Sequence, residues 1–367
     1  MVTVLRASAR STKIETARHQ LNSRHVNRYP LIEAAGSAFE LGLAHGHQAT
    51  DLVEGYLRLI EKSTGRDRSV LAGGAMSFVE RIEALSPAYL EEVRGLAEGA
   101  GITFEEAMIC QVRGAAVRGI DHEGCTAFAL TGEATRQGKT LAGQNQDLGA
   151  EFADVGIVLH LAPNDSRPRV TMFTFAGQLG YMGTNEHGVS HFANGLGNAA
   201  YQPGLTHYPL KRRCFEMSNV AECVNILRQH RVCSAGNMVF CDGEGDIADV
   251  EIRPEGIAVF DDTRPCQRLH TNHYISNEFT SHEDNNTPDS VPRLDRIREL
   301  VAQSWGDITV DTMKQVLANH EGDPGAICRH GEKGSFSVAG YIADASERVL
   351  HVRRGFGCTG TWTEYAV

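Results

Sequence analysis

The pattern of apolar and polar residues divides the chain into a helical first third and a strand-rich remainder. Between residues 87 and 101, apolar residues recur every three or four positions, which is the spacing of an amphipathic helix. After Cys125, short apolar runs at 155–161 and 170–175 are separated by glycine-rich turns, as is typical of strands. The chain is therefore predicted to change from helices to sheets close to residue 125.

Local signals predict where the early helices begin. Ser37 and Glu40 have the spacing of a capping box, in which each side chain bonds the backbone N–H of the other residue. Gly42 and Gly46 lie four residues apart on one face of the predicted helix and would permit close backbone packing. A second capping box opens at Thr103. This region is predicted to be a set of packed helices.

The later elements alternate between hairpins and helices. A helix is predicted over 209–229, and two more carry the apolar positions around Leu294 and Met313. Because the strands come in hairpins and do not alternate singly with helices, an α+β fold with helices packed outside sheets is predicted. No dinucleotide fingerprint or P-loop occurs. The predicted strands are 29–36, 125–130, 140–145, 155–161, 170–175, 188–192, 237–241, 247–252, 335–343 and 349–353.

Composition narrows the class of protein. The 367 residues carry a net charge of −11, which argues against nucleic acid as a partner because phosphate binding needs clustered Lys and Arg. No apolar run approaches the length of a membrane span. Residues 1–28 are basic but lack the apolar region of a secretory signal, so a flexible extension and a cytoplasmic location are expected.

The nine cysteines are widely spaced and contain no Cys-x-x-Cys pair, which fits reduced thiols better than a disulfide framework. Sixteen histidines invite a metal interpretation, but His-Glu-x-x-His is absent. The pairs His45/His47 and His270/His273 lack companion carboxylates at ligand spacing. No metal site is expected.

Gly124-Cys125 is the main candidate for chemistry. Cys125 begins a predicted strand, and its partner in the predicted hairpin ends in Asn145 and Asp147. A buried structural thiol is the ordinary explanation of a lone cysteine. A catalytic thiol needs a base, which could be a histidine such as His122 or His273, or the α-amine of Cys125 itself if the chain is cut before it.

The sequence resembles the isopenicillin-N acyltransferase (acyl-coenzyme A:6-aminopenicillanic acid acyltransferase) family of N-terminal nucleophile hydrolases. The resemblance covers about residues 36–354, and its motifs occur in the family's order. They are the segments 36–42 with His45-Gly46, 91–101, 124–126, 143–147, 183–188 with Asn194, 270–273 and 327–330.

The resemblance implies a four-layer αββα sandwich, formed as an inactive precursor that cuts itself between Gly124 and Cys125. It divides the chain into a mostly helical N-terminal part (29–124, after the extension 1–28) and a C-terminal part (125–367) within one catalytic domain. The two fragments would stay associated. It also implies that Asp147 organises the nucleophile and that Asn272 supplies an oxyanion donor.

Three further residues are weaker candidates. Thr126 and His273 flank the proposed site residues as potential supporting or substrate-binding groups, and Arg354 is a candidate partner for a carboxylate. Each has an ordinary structural alternative: a strand residue for Thr126, packing for His273, and a solvated strand-end charge for Arg354. Without the family context, Asp147 would be interpreted as a turn-capping aspartate and Asn272 as a hydrogen-bonding residue at a strand end.

The expected function is a self-processing cysteine amidohydrolase or acyltransferase that acts on a small N-acylated amine through a Cys125 thioester. No cofactor is expected, although a coenzyme A thioester is a candidate co-substrate. No nucleic-acid or membrane partner is expected, and a homo-oligomer is left open. The alternatives are an uncleaved Cys-His hydrolase and a non-catalytic binding protein with the same fold.

Overall fold

A computed structural model describes residues 28–119, 124–197, 199–284, 287–323, 325–331 and 335–367. The fold is mixed α+β, with two sheets and helices packed against them. This confirms the predicted α+β class. The basic extension at residues 1–27 and His122 lie outside the described residues.

Helices occupy most of the described chain before Cys125. They are α1 (Ala38–Gln48), α2 (Thr50–Thr64), α3 (Arg68–Ala75), α4 (Val79–Leu85), α5 (Pro87–Ala100) and α6 (Phe104–Val112). Both predicted capping boxes are present, at Ser37/Glu40 and Thr103/Glu106. Gly101 ends α5 with φ of 68°, a left-handed conformation that glycine adopts without steric cost.

The first sheet has eight strands in the order β1-β4-β5-β6-β7-β8-β9-β10. Their bounds are β1 Leu31–Gly36, β4 Gly156–Pro163, β5 Val170–Phe175, β6 Met182–Asn185, β7 Ser190–Gly195, β8 Gly236–Cys241, β9 Ile247–Arg253 and β10 Gly256–Phe260. β1 pairs parallel with β4, and the other neighbours in this sheet pair antiparallel. The segment before Cys125 therefore contributes an edge strand to a sheet built from the segment after it.

The second sheet has six strands in the order β11-β2-β3-β12-β13-β14, all paired antiparallel. Their bounds are β2 Gly124–Gly132, β3 Gly138–Leu148, β11 Gln267–His270, β12 Phe336–Asp344, β13 Val349–Arg354 and β14 Thr361–Ala366. Cys125 is the second residue of β2, a strand with sheet neighbours on both sides.

The two sheets pack face to face. The ring of Tyr341 on β12 lies 4.9 Å from that of Phe173 on β5 and 6.3 Å from that of Phe192 on β7, measured between centroids. Side chains of a strand alternate between faces. Accordingly, Ala127 joins the large core between the sheets, whereas Phe128 joins a second core beneath the C-terminal helices.

The remaining helices are α7 (His207–Cys214), α8 (Val220–Gln229), α9 (Ser290–Gln303) and α10 (Val310–Leu317). The prediction of one helix over 209–229 was wrong, because the chain leaves the helix after Cys214 and Asn219 caps a new one by accepting from the Glu222 N–H. Apolar spacing continues across this break, which hides it from a periodicity argument.

No helix within the described part of the chain combines the length and the apolar character needed to cross a membrane.

Candidate active site

The thiol of Cys125 is fully buried between the two sheets. Its backbone N–H donates to Asn272 Oδ1 at 2.9 Å, and its Sγ lies 3.3 Å from Gln144 Nε2. Gln144 also donates to Gln146 Oε1 at 2.8 Å, and Gln146 is the cross-strand neighbour of Cys125 on β3. The thiol is thus bordered by amide groups, which can donate hydrogen bonds to a thiolate.

Asn272 follows β11 and has a defined amide orientation. Its Oδ1 accepts from the Cys125 N–H and from Arg293 Nη2, the latter at 2.8 Å. Both partners can only donate, so this atom must be the oxygen. The Nδ2 group donates to the Gly195 carbonyl at 3.0 Å and points toward the other sheet.

Arg293 on α9 connects the strand to the asparagine. Its Nη1 donates to the Cys125 carbonyl at 2.5 Å and to Thr126 Oγ1 at 2.9 Å. The side chain is fully buried. Burial lowers the pKa of this guanidinium, and the nearby Asp147 and Cys125 partly offset that effect. A buried cation therefore lies within hydrogen-bond distance of the nucleophile's own backbone.

Asp147 lies opposite Gly124 in the β2–β3 register, on the face of the sheet away from the thiol. Its Oδ1 accepts from Ser337 Oγ at 2.6 Å, and its Oδ2 is 3.7 Å from Arg329 Nε. Burial raises the pKa of this carboxyl, and Arg329 and Arg293 act in the opposite direction.

A second aspartate joins the two arginines. Asp289 forms ion pairs with both Arg293 and Arg329. Arg293, Asp289, Arg329 and Asp147 thereby alternate in charge behind β2. Such pairing compensates the large desolvation cost of buried charges. Of the four groups, Arg293 bonds the backbone at Cys125 directly, and the others hold it through ion pairs.

Gly124 is placed where a side chain would not fit without adjustment. A Cβ built at this residue would lie 3.1 Å from Arg329 Nη1 and 3.2 Å from Asp147 Cβ. Glycine therefore lets the strand approach the buried ion pair. This gives a packing reason for glycine in front of the cysteine.

The weaker candidates divide into two groups. Thr126 is buried and holds Arg293. His273 Nδ1 lies 2.7 Å from Ser290 Oγ, which also accepts from the Asn272 backbone N–H at 2.6 Å. Burial lowers the pKa of His273 to about 4, with the positive charges of His270 and Arg293 adding to the effect. Both candidates support the site through neighbouring residues.

Arg354 is directed elsewhere. Its Nη2 is 3.3 Å from Asp154 Oδ1, and its guanidinium lies over the ring of Tyr29. The adjacent Arg353 is the buried one and donates to Asn145 Oδ1 at 2.9 Å. These contacts tie the end of β13 to the segments before β1 and before β4, and do not involve Cys125.

A cavity lies next to Gly195, whose carbonyl accepts from Asn272 Nδ2. Its lining includes Gly119, Asn194, Gly195 and Lys211. Gly195 is the residue whose carbonyl holds Asn272 Nδ2, and Gly119 is the last described residue before the gap that ends at Gly124. The cavity wall therefore includes a residue that contacts the asparagine.

Asn194 presents an oxygen in this cavity region. Asn237 Nδ2 donates to the Val250 carbonyl, which can only accept, so Asn237 must receive the Asn194 Nδ2 donor with its Oδ1. Asn194 Oδ1 is then buried with no hydrogen-bond partner among the described residues. The ammonium group of Lys211 lies 4.4 Å from the Tyr181 ring centroid.

The histidine pairs considered as metal ligands have other partners. His45 Nε2 accepts from the Gly177 backbone N–H at 3.0 Å, and His270 Nε2 is 3.1 Å from Glu251 Oε1. Outside this site, the described residues contain one group of His and Cys side chains with the donor atoms for a metal ion.

A family model described as acyl-coenzyme A:6-aminopenicillanic acid acyl-transferase matches residues 134–340, more than half of the chain. The chain belongs to this family. The matched range contains Asp147 and Asn272 but begins after Cys125. The match therefore covers two of the proposed site residues, but it gives no evidence about Cys125.

Solved structures of bacterial acylases are also similar. A mutant of the conjugated bile acid hydrolase from Clostridium perfringens matches with 13% identity and a TM-score of 0.47, covering 66% of this chain and 97% of that chain. Penicillin V acylase from Agrobacterium tumefaciens matches with 14% identity and a TM-score of 0.46, covering 66% of this chain and 86% of that chain. These likenesses are too distant to support an inference about individual residues.

The sequence analysis missed three residues that contact Cys125 or Asp147. Arg293 stands directly before Leu294, Ile297 and Val301 of a predicted apolar helix face, and its burial among them was a missed signal. Arg329 lies inside the 327–330 motif but was given no role. Gln144 lies inside the 143–147 motif, two residues before Gln146, and likewise was not singled out.

Proposed function

We propose that this protein is a self-processing N-terminal nucleophile enzyme that hydrolyses or transfers the acyl group of a small N-acylated amine. The observation that carries the proposal is the contact between the Cys125 backbone nitrogen and Asn272 Oδ1, directly after Gly124, the first residue of β2. Membership of the acyl-transferase family supports the reaction class. The self-processing step and the thioester are our own inference.

In the processing step, the Cys125 thiol attacks the Gly124 carbonyl carbon. The C–N bond breaks as the C–S bond forms, and the thiol proton moves to the departing nitrogen, which becomes the α-amine of Cys125. Water then hydrolyses the thioester, releasing the Gly124 carboxylate and restoring the thiol. The 2.9 Å contact with Asn272 would hold the new amine where the amide nitrogen lies now.

In the processed enzyme, the α-amine would act as the base. Arg293 contributes to this role because a buried cation disfavours a second positive charge beside it and so favours the neutral, proton-accepting amine. The same cation and the Gln144 amide favour the thiolate. The amine would take the thiol proton as the thiol attacks a substrate carbonyl, and return it to the leaving amine.

Asn272 would stabilise the oxyanion. Its Oδ1 is engaged by two donors, so its Nδ2 is the group that faces the cavity side. An amide donor suits a developing oxyanion because it stabilises negative charge without carrying a charge itself. Asp147 would act at a distance, by holding Arg329 against the residues behind Gly124.

The sheets and helices are consistent with the four-layer αββα sandwich that the family implies. After cleavage at Gly124, the N-terminal fragment would stay bound because β1 is a strand of the first sheet. The helices α1 and α2 also bury apolar side chains in the large core. One integrated catalytic domain is therefore part of the proposal.

We place the substrate in the cavity next to Gly195. Asn194 Oδ1 is suited to accept from a substrate N–H, and Lys211 brings a cation to the same cavity wall. A buried acceptor such as Asn194 Oδ1, which has no hydrogen-bond partner among the described residues, favours substrates that supply a donor. The proposal is therefore an acyl compound with an amide N–H and a nearby carboxylate. Either water or an amine would then accept the acyl group, and a coenzyme A thioester would be an alternative acyl donor.

The intact mass of the purified chain tests the processing step. Wild type is expected to give two fragments, residues 1–124 and 125–367, because the thiol attack cuts the bond before Cys125. Cys125→Ala should leave one full-length chain. Cys241→Ala is the matched control, since Cys241 is another fully buried strand cysteine, and this variant should be cut as wild type is.

An uncleaved wild-type chain that hydrolyses amides would contradict the proposal and favour the Cys-His alternative. The substrate class is tested on processed protein with a library of N-acyl amino acids and their methyl esters, detecting the released amine by mass. Faster turnover of the free acids than of the esters would support the proposal that Lys211 binds the substrate carboxylate. Equal turnover of acids and esters would contradict it.

A further inference from the structure

Four side chains with metal-binding atoms meet beside the active-site ion pairs. They are His320, which follows α10, Cys328 and His330 on the segment before β12, and Cys358 in the turn after β13. One ligand atom from each residue lies within 4.8 Å of every other. Residues from three separate segments thus converge on one small volume.

The distances fit a tetrahedral site. His330 Nε2 is 2.8 Å from His320 Nε2, and it is 3.5 Å from the Sγ atoms of both Cys328 and Cys358. With Zn–N bonds of about 2.0–2.1 Å and Zn–S bonds of about 2.3 Å, tetrahedral geometry needs ligand atoms roughly 3.3–3.8 Å apart. Small side-chain rotations would bring all four atoms to these separations.

We propose that His320, Cys328, His330 and Cys358 bind one Zn²⁺ ion in a closed structural site. Two thiolates and two imidazoles are a ligand set that favours zinc in four-coordinate geometry. All four positions are filled by protein, so the ion has no open position for water or substrate. Its role would be to hold the three segments together.

The surroundings support a bound cation. Cys328 is buried, so a thiolate at this residue needs a cation beside it to compensate its charge. Zinc deprotonates a coordinating thiol and compensates the burial of its charge. His330 is held in place by its ring, which stacks on Phe356 at 4.2 Å between centroids. That contact orients one ligand before a metal arrives.

The site has a structural consequence for the proposed active site. Arg329 stands between the ligands Cys328 and His330, and its side chain pairs with Asp147 and Asp289. Metal bound on either side of this residue would fix its backbone, and with it the charges behind Gly124. Zinc would therefore position Arg329 without touching the substrate.

Metal analysis of the full-length chain, expressed with zinc in the medium, tests the proposal. Wild type is expected to hold about one zinc per chain, as a four-ligand site requires. Cys358→Ser and His320→Gln should each lower the zinc content at least tenfold after gel filtration with a weak chelator. The controls are Cys266→Ser and His282→Gln, which change a half-buried cysteine and a histidine elsewhere and should retain the metal.

A second measurement uses wild-type protein only, so its result does not depend on whether the variants fold. Wild type stripped of metal and titrated with Co²⁺ should develop the absorption of a tetrahedral cobalt–thiolate site, saturating at about one equivalent. Absence of both zinc and the cobalt spectrum would overturn the proposal. So would a disulfide between Cys328 and Cys358 in the isolated protein, found by mass before and after reduction.

Failure here is distinct from failure of the proposed function. Cys125→Ala should bind zinc as wild type does, because its side chain is not a ligand. A protein that cleaves itself but holds no metal would refute only the zinc site, whereas an uncleaved protein with one zinc would refute only the processing step.

Discussion

The two ends of the Asn272 amide have different partners. The Oδ1 atom accepts two hydrogen bonds, and the Nδ2 group donates one. The oxygen holds the Cys125 nitrogen and the Arg293 guanidinium, whereas the nitrogen faces the carbonyl of Gly195 and the cavity. Since neither donor at Oδ1 can accept, the amide cannot rotate without losing both bonds. The orientation of the proposed oxyanion donor is therefore set by its other end.

This division predicts the outcome of two substitutions. Asn272→Asp keeps an acceptor for the Cys125 nitrogen but removes the donor, and Asn272→Ala removes both. We expect each to lower kcat by ~10²–10³, the usual effect of losing one oxyanion donor. Steady-state kinetics on processed protein would check this. Wild-type turnover in Asn272→Asp would contradict the donor role, because a carboxylate cannot donate a hydrogen bond to an oxyanion.

The site residues were unequally visible from the sequence. Cys125, Asp147 and Asn272 stand in the segments on which the sequence resemblance rests, so the sequence alone pointed to them. Arg293 is separated from Cys125 by 168 residues and belongs to no such motif. A charged residue in a helix is normally exposed, so the one local indication, the position of Arg293 four residues before Ile297 on the apolar helix face, was missed.

At the scale of elements, α1 and α5 pack through glycines on both helices. A Cβ on Gly42 would lie 1.8 Å from the Glu92 carbonyl oxygen, and one on Gly95 would lie 2.0 Å from the Phe39 carbonyl oxygen. Gly46 and Gly99 make equivalent approaches. The prediction of close packing at Gly42 and Gly46 is confirmed, and the partner glycines are those of α5.

Opposite effects are therefore expected for two Gly→Ala substitutions. Gly42→Ala should destabilise the protein by about 1–3 kcal/mol, because the helices must separate to admit the methyl group. Gly73→Ala, in α3 with no atom within 4 Å of the added Cβ, should stabilise it by up to ~1 kcal/mol through helix propensity. Urea unfolding of both variants tests this. Equal effects would mean that helix separation is not the cause.

At the scale of the whole molecule, burial sets the response to acid. Burial lowers the pKa of His45 to about 4 and that of His191 to about 3, with Arg212 and Lys211 adding to the respective shifts. Burial raises the pKa of Asp249 to about 6. Below their unfolded pKa near 6.5 the histidines bind protons only on unfolding, so stability falls with falling pH. Asp249 has the opposite effect below pH 6 and offsets part of the loss.

His45→Gln isolates one of these contributions. A glutamine can still accept from the Gly177 N–H but does not titrate, so the loss of unfolding free energy between pH 7 and pH 5 should shrink by about 2 kcal/mol. Urea unfolding at the two pH values measures this change. His47→Gln, at an exposed position of the same helix, is the control. An unchanged pH dependence in His45→Gln would show that His45 is not neutral when buried.

The sequence by itself determined the features that depend on neighbouring residues. The capping boxes at Ser37 and Thr103, the αL end of α5 at Gly101 and most strands were predictable because caps, turns and alternating patterns act over a few residues. The four-residue strands β6 and β11 were not, since they carry too few residues for a pattern. The α+β class followed from the order of the elements.

Tertiary structure alone decided which distant side chains meet. The ion pairs behind Gly124 and the group formed by His320, Cys328, His330 and Cys358 combine segments far apart in the chain. Because no local ligand motif occurs, the sequence led us to expect no metal site. The proposed zinc site differs from that expectation. Contacts of this kind leave no periodic pattern in the sequence. The number of residues between the contacting side chains depends on the path of the chain through two packed sheets.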